Sequence, residues 1–574
     1  MFSSIWIRLL FLLFIVDATL ADQAHLHQDL YPRPVTEEDW AVLNVSVDGR
    51  LIRGFPFSQP CFIDPNSSAC KEVQQYYLNG NLRYNVPGST TQTNWETCQT
   101  TGQRCLLNED DPRDPDAIKD RNACEMGSIS SYYIDVRNSA DVVQPFKFSR
   151  KTKISLVIKN TGHDYIGRST APDSLGLWMH NMKSMTYIPE FVPVGCSKND
   201  DFTVVTAIRM QAGVQWDEAY AFADQHNVTV VGGSDPKVGA VGGWLQGGGH
   251  GMLSNTLGLG VDRVLQFTVV TPNGTVHVAN KYQAQDLFFA LRGGGGGTFG
   301  VVLDATILAS PPLTLQMTVI QWEGLHLDIL SRFIKVLVNN AENMAHNGYG
   351  IVVSPNTGVF VTPTLSADQA EVIMAPIINF RHSLSIPNVT VHSQTFHGWL
   401  PFYSKIMQKD RVAIGINMVT SSRFIPRSSS TTKAREQLHS ALVRMTETTE
   451  YIMILGTSPF TFHHDGTTSV TDAWRDTIWH VVTGRTWSYN ATLEEKRTAY
   501  RLASTAVDHL RSITPPGAYQ NEADVHEPGH EVTFWGIHHD RLLSIKEKYD
   551  PDRLLDCWHC VGWQKDSPRF RCYL

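Results

Sequence analysis

Apolar and polar positions along this chain switch repeatedly between strand and helix periodicity. KISLVIKN, Lys153 to Asn160, alternates or runs apolar and predicts a strand. DFTVVTAIRMQAGVQW, from Asp201, predicts another, and QWDEAYAFADQHN then moves to helical spacing. VTVVGG, Val228 to Gly233, predicts a third strand. VDRVLQFTVVTPNGTVHVAN carries β-branched runs around an Asn273-Gly274 turn, the pattern of a hairpin. DLFFALRG predicts a helix and GVVLDATIL a strand after it.

Between these elements lie glycine-dense loops. NTGHDYIGRS follows the first strand and holds His163 between Gly162 and Asp164. SDPKVGAVGGWLQGGGHG, Ser234 to Gly251, follows VTVVGG, and a run of five glycines, Gly293 to Gly297, follows the DLFFALRG helix. Three such segments within about 140 residues, each at an element end, suggest backbone wrapped around one extended, phosphate-bearing ligand, because glycine removes side-chain bulk and bares N–H groups. Gly295 to Gly300 satisfies GxGxxG, but a dinucleotide fingerprint needs strand before and helix after, and here the order is reversed.

Two other motifs fail on context. His526-Glu527-Pro528-Gly529-His530 spells HExxH, yet Pro528-Gly529 opposes the helix that would set both histidines on one face. Cys557-Trp558-His559-Cys560 spells CxxC without a βαβ setting, so a structural disulfide is expected, with Cys572 a further candidate partner.

Composition narrows the class. At 574 residues, two domains or one large discontinuous one are expected, and 42% hydrophobic with 18% charged residues describes a soluble globular chain. A net charge of −8 without basic runs excludes nucleic acid and anionic membrane as expected partners. Residues 1–21 hold a short apolar stretch closed by small residues at Ala18 to Ala21, predicting a cleaved leader and a secreted protein, with a signal anchor as the alternative. Sequons at Asn44, Asn66, Asn227, Asn273, Asn388 and Asn490 suit that compartment. The nine cysteines predict disulfides with at least one thiol left over.

Taken together, KNTGHDYIGRSTAPDSLGLWMHNMK, VGGWLQGGGHGMLSNTLGLGVDRVLQFTVVTPNG, DLFFALRGGGGGTFGVV, and AYQNEADVHEPGHEVTFWG followed by RLLSIKEKYDP resemble the FAD domain of the vanillyl-alcohol-oxidase superfamily, specifically its berberine-bridge-enzyme-like fungal oxidoreductases. The resemblance implies an α+β fold. Its flavin part would comprise residues 22–310 and 515–574, and residues 311–514 would form a substrate domain whose antiparallel sheet covers the isoalloxazine.

It also implies site residues. His163 would be joined covalently to the flavin 8-methyl carbon, as neutral imidazole is a nucleophile. Around it Asn160, Thr161, Gly162, Asp164 and Tyr165 would meet the cofactor, with Gly167, Arg168 and Ser169 near its diphosphate. The second loop would contribute Val238, Gly239, Gly242 and Gly243, then Gly247, Gly248, His250 and Gly251, and the C-terminal segment Asn521. No metal is expected.

This chain departs from the family at two places. Many relatives carry a second flavin link through a cysteine where Asp235 stands here, so a single histidyl link is expected. Asp235 could instead serve as acid or base, or be a loop carboxylate paired with Lys237. In FWGIHHDRLL, His538 and His539 replace the usual Asn-Tyr and are candidate proton acceptors or packing residues. In relatives the residue at Val238 gates dioxygen, and a small valine there favours an oxidase. The expected partners are therefore a small-molecule substrate and dioxygen, acting on a monomer. The leading reading is oxidation of an alcohol or secondary metabolite with release of hydrogen peroxide. A cyclase or dehydrogenase of a fungal biosynthetic pathway, or a non-catalytic flavin-binding protein, are the alternatives.

Overall fold

The computed structural model describes residues 35–197, 203–384, 388–409 and 413–574, so the expected leader lies outside the described residues. Three sheets and the helices packed on them make an α+β fold. In the first sheet β1 (Leu51–Arg53), β2 (Tyr132–Asp135), β3 (Ser155–Lys159) and β4 (Ser174–Trp178) run in the order β1-β2-β4-β3. Here β2, β4 and β3 are parallel, and all five residues of β4 are buried, as a strand covered on both faces requires. KISLVIKN starts two residues late as β3, because Lys153 caps the preceding helix in the left-handed conformation at φ 62°.

The second sheet is antiparallel, in the order β5-β6-β9-β7-β8: β5 (Met185–Phe191), β6 (Val205–Gln211), β7 (Val264–Val270), β8 (Val276–Asn280) and β9 (Val301–Leu308). The expected hairpin is β7–β8. The amphipathic stretch forms the helix Trp216–Gln225, which buries Trp216, Ala219, Tyr220 and Ala223 on one face, and DLFFALRG forms the helix Gln285–Leu291. VTVVGG is not a strand. It makes one bridge, Thr229 to Ser310, and is buried as an extended connector with Val230 and Val231 in the core. Its β-branched run satisfies burial without a ladder partner.

The third sheet has seven antiparallel strands in the order β13-β10-β12-β11-β15-β16-β14. They are β10 (Thr314–Gln321), β11 (Gly350–Ser354), β12 (Thr357–Thr362), β13 (Thr390–His397), β14 (Asn417–Pro426), β15 (Tyr451–Gly456) and β16 (Thr477–Trp487). Alternation divides its faces. Ile351, Phe360, Ile452, Ile454 and Val481 face a core completed by the helices Leu327–His346, Ala367–His382, Thr432–Thr448 and Leu493–Arg511. Their neighbours Val352, Val359, Tyr451, Met453 and Val482 face the opposite way, into a cavity.

The C-terminal stretch returns to the first two sheets. Lys546 of the helix His539–Tyr549 donates to Thr298 O at 2.7 Å, Arg569 donates to Leu156 O at 2.8 Å, and Cys98 is bonded to Cys572. Cys61–Cys70, Cys105–Cys124 and Cys557–Cys560 are the other disulfides, and Cys196 is the free thiol. Helix starts only at His530 in the HExxH stretch, and Glu527 is engaged by Arg423 and Arg511, so no zincin arrangement forms. Among the described residues no helix is long and apolar enough to cross a membrane.

Candidate active site

A cavity of about 590 Å³ lies where the three glycine-dense loops, the C-terminal segment and the third sheet meet. Strand β3 delivers the first loop to it. Gly162 turns the chain at φ 91°, beyond the reach of most L-residues, and sets His163 on the wall. The His163 side chain is 8% exposed, and neither ring nitrogen has a hydrogen-bond partner. Burial holds its pKa below the ordinary imidazole value, with Asp235 partly opposing, so the ring is neutral at neutral pH. Tyr84 packs on it with ring centroids 4.7 Å apart.

Asn160, Thr161, Asp164, Tyr165, Arg168 and Ser169 all line the cavity. Arg168 is committed to protein partners: Nε is 3.0 Å from Asp164 Oδ1, and an Nη donates to Asn521 Oδ1 at 2.8 Å. Asn521 in turn donates to Gly243 O at 2.8 Å, so one amide joins the first loop, the second loop and the C-terminal segment.

The second loop brings Asp235, Val238, Gly239, Gly242, Gly243, His250 and Gly251 to the cavity. A Cβ at Gly239 would lie 2.3 Å from Asn160 Nδ2, so glycine lets the two loops touch; one at Gly243 would meet nothing within 4 Å, leaving bare backbone. Asp235 Oδ1 is 3.8 Å from His163 Nε2 and accepts the Lys237 N–H at 2.8 Å. The ammonium of Lys237 goes instead to Asp217 at 2.6 Å, correcting the expected Asp235–Lys237 pairing.

Three glycines assigned to the cofactor do not line the cavity. Gly167, Gly247 and Gly248 stand behind the wall, where a Cβ would come within 2.2 Å of Trp95, 2.5 Å of Asn521 and 3.4 Å of Tyr519 respectively. At these three positions glycine permits close packing. His538 and His539 do not line the cavity either. His538 packs on Phe289 with Nε2 3.5 Å from Asp472, and His539 stacks on Trp535. Both are held at the start of the helix His539–Tyr549, where packing positions them.

The cavity also holds residues that sequence reasoning missed. Trp244, Tyr451 and Tyr519 line it, beside Gly296 and Gly297 of the five-glycine run already marked in the sequence. Glu522, one place after Asn521, also faces it. Its Oε1 is 3.1 Å from His250 Nε2 and its Oε2 is 3.5 Å from His480 Nδ1. Burial works to raise the Glu522 carboxyl, but the two imidazoles hold it below the usual carboxylate value. His480 is fully buried, and that burial pushes its pKa down to about 3. The ring of His250 is oriented from its other side by Thr457 Oγ1 at 2.9 Å. At another part of the wall Asp556 is raised to about 6 by burial, against the opposing charge of Arg569.

Residues 130–280 match the family model described as an FAD binding domain, and residues 518–557 match the one described as berberine and berberine like. The chain is 34% identical to the FAD-linked oxidoreductase ffsJ of Aspergillus flavipes over 93% of each chain. It belongs to the berberine-bridge-like FAD-linked oxidoreductases of the vanillyl-alcohol-oxidase superfamily. The fold agrees. The VAO-type flavoprotein MtVAO615 of Myceliophthora thermophila C1 superposes with a TM-score of 0.80 at 28% identity, covering 92% of this chain and 95% of that one. MtVAO713 of the same organism gives 0.81 at 25% identity, again over 92% and 95%.

The residues present fit the cofactor of an FAD-linked oxidoreductase. Bare loop backbone at Gly243 can lie against a flat or phosphate-bearing group. Buried polar atoms left without partners, His163 Nδ1 and Nε2 and Asn160 Oδ1, sit on the same wall. A bound ligand satisfies such groups at no further desolvation cost.

Proposed function

We propose that this oxidoreductase is a secreted oxidase that holds FAD through one covalent bond, from His163, and oxidises an alcohol or secondary-metabolite hydroxyl at the expense of dioxygen. The carrying observation is His163: neutral, largely buried, facing the cavity, with both ring nitrogens free of hydrogen bonds. A neutral imidazole nitrogen is the nucleophile such a bond requires. Asp235 beside it cannot form a thioether, which supports a single link. Residues 22–310 and 515–574 would hold the cofactor, and residues 311–514 would supply the substrate wall.

FAD supplies the acceptor for the substrate hydride and, on reoxidation by dioxygen, the peroxide. The chain's residues do the rest. Glycine loops position the cofactor, the third sheet excludes water from the face opposite them, and a cavity base receives the hydroxyl proton. Val238 lines the cavity, and a valine there is smaller than a leucine by one methylene, which favours access of a small molecule such as dioxygen.

Acid precipitation tests the attachment. Wild-type precipitate stays yellow, His163→Ala releases its flavin into the supernatant, and peptide mapping finds flavin on His163 alone. A colourless wild-type precipitate rejects the link. Hydrogen peroxide measured during turnover separates an oxidase from a dehydrogenase.

A further inference from the structure

The wall that the third sheet contributes to the cavity differs from the walls made by the loops. Its side chains include Val352, Val359, Met418, Met453, Leu455 and Val482. The polar groups from that part of the chain are hydroxyls, on Ser354, Thr357, Thr420, Tyr451 and Thr457. Among the described residues, no cavity-lining residue between 311 and 514 is an Asp, Glu, Lys or Arg. A sugar or a charged metabolite would strip water from many polar groups and find few partners on such a wall. An apolar body finds dispersion contacts, and the methionines, Met407 included, adapt to an irregular outline.

One charged group stands where this wall meets the C-terminal segment. Glu522 keeps 21% of its side chain exposed while Oε1 is hydrogen-bonded to His250 and Oε2 lies 3.5 Å from His480. The other cavity acids are placed differently: Asp164 is bound to Arg168, Asp235 lies by His163, and Asp556 lies by Arg569. His480 is completely buried and stands behind the carboxylate, its Nδ1 3.5 Å from Glu522 Oε2, without reaching the cavity.

We infer that the cavity binds an uncharged, predominantly apolar alcohol, whose body lies on the methionine- and valine-lined sheet and whose hydroxyl donates to Glu522, the proton acceptor for its oxidation. This deepens the proposed oxidase and rests on that reading for its chemistry. In the step, the hydroxyl proton moves to a Glu522 oxygen and the carbon-bound hydrogen leaves with its electron pair to the flavin. The alcohol becomes a carbonyl, and its two electrons pass to dioxygen in the second half-reaction. His250 and His480 are positioning residues.

Binding is read on the holoenzyme as a perturbation of the flavin absorbance, independently of turnover. The probes are menthol, cyclododecanol and cholesterol for apolar alcohols, cellobiose for a sugar, and laurate for a charged apolar molecule. At least one alcohol is expected to bind tenfold or more tightly than cellobiose and laurate, and Met453→Glu should weaken it at least tenfold with the flavin spectrum of the free enzyme unchanged. Glu522→Gln keeps a hydrogen-bond acceptor, so the alcohol should bind within about threefold while anaerobic flavin reduction slows a hundredfold or more. Tighter binding of cellobiose or laurate, or no perturbation by any alcohol, overturns the inference and leaves the oxidase reading standing. Unimpaired reduction in Glu522→Gln overturns the proton acceptor. The ligand atoms of His250, His480 and Glu522 lie within 4.8 Å of one another, so metal analysis accompanies the assay, and one equivalent of a divalent metal per chain would also overturn it. A wild-type enzyme that binds the alcohols but, once reduced, does not react with dioxygen counts against the oxidase reading alone.

Discussion

At the level of single residues, His163 and Glu522 mark the two ways a side chain can become chemically useful here. His163 was legible because its glycine-bracketed loop is contiguous in sequence. Glu522 was not, since its meaning depends on His250, 272 positions away, and on His480 inside a strand. His538 and His539 adjoin a family motif in sequence, while the backbone turns them onto Phe289 and Trp535. A pH profile distinguishes the two sites. The two imidazoles keep Glu522 ionised to below its ordinary value of about 4.5, and deprotonated carboxylate is the active form. Flavin reduction should therefore be flat through the imidazole range and fall only as pH drops below the carboxylate range. A limb near pH 6.5 lost in a glutamine variant of His538 or His539 would restore those histidines. Val238→Leu adds one methylene to the wall. Reoxidation of the reduced enzyme by air, followed by stopped flow, should slow by tenfold or more while the anaerobic half-reaction keeps its rate.

Among elements, the hairpin β7–β8 and the helices Trp216–Gln225 and Gln285–Leu291 were readable because local periodicity and turn chemistry agreed with burial. The stretch VTVVGG was misread for a physical reason: burial selects the same β-branched residues in an extended connector as in a strand. The docking of the helix His539–Tyr549 could not be read from sequence at all. It hangs on Lys546, whose ammonium is buried and shared among Asp550, Thr298 O and Leu555 O. Lys546→Met would leave the Asp550 carboxylate buried with its cation gone. The chain should lose about 3–5 kcal/mol, seen as a lower midpoint in denaturant unfolding. If the midpoint does not move, that pair is not what seats the helix.

For the whole molecule, the cavity exists only when distant pieces of chain assemble, and composition and motifs could predict its parts without its shape. The loops were legible, and the face of the third sheet was not, because alternation shows which residues share a face and leaves open which face meets solvent, core or ligand. The sequons add a prediction at this scale. Asn66, Asn227, Asn273, Asn388 and Asn490 are exposed, whereas Asn44 is partly buried and accepts the Leu51 N–H at 3.1 Å. If the chain is exported as proposed, mass mapping should find glycans among the first five and none on Asn44.

The bond between Cys98 and Cys572 spans 474 positions, and it turns most of the polypeptide into a covalent ring. A ring survives one cut. If a protease site engineered at the exposed turn Asp465–Gly466 is cleaved, the two fragments remain one molecule, migrating as a single species without reductant and as two with it. An enzyme closed in this way can take a surface nick and still keep both walls of its cavity on the same molecule.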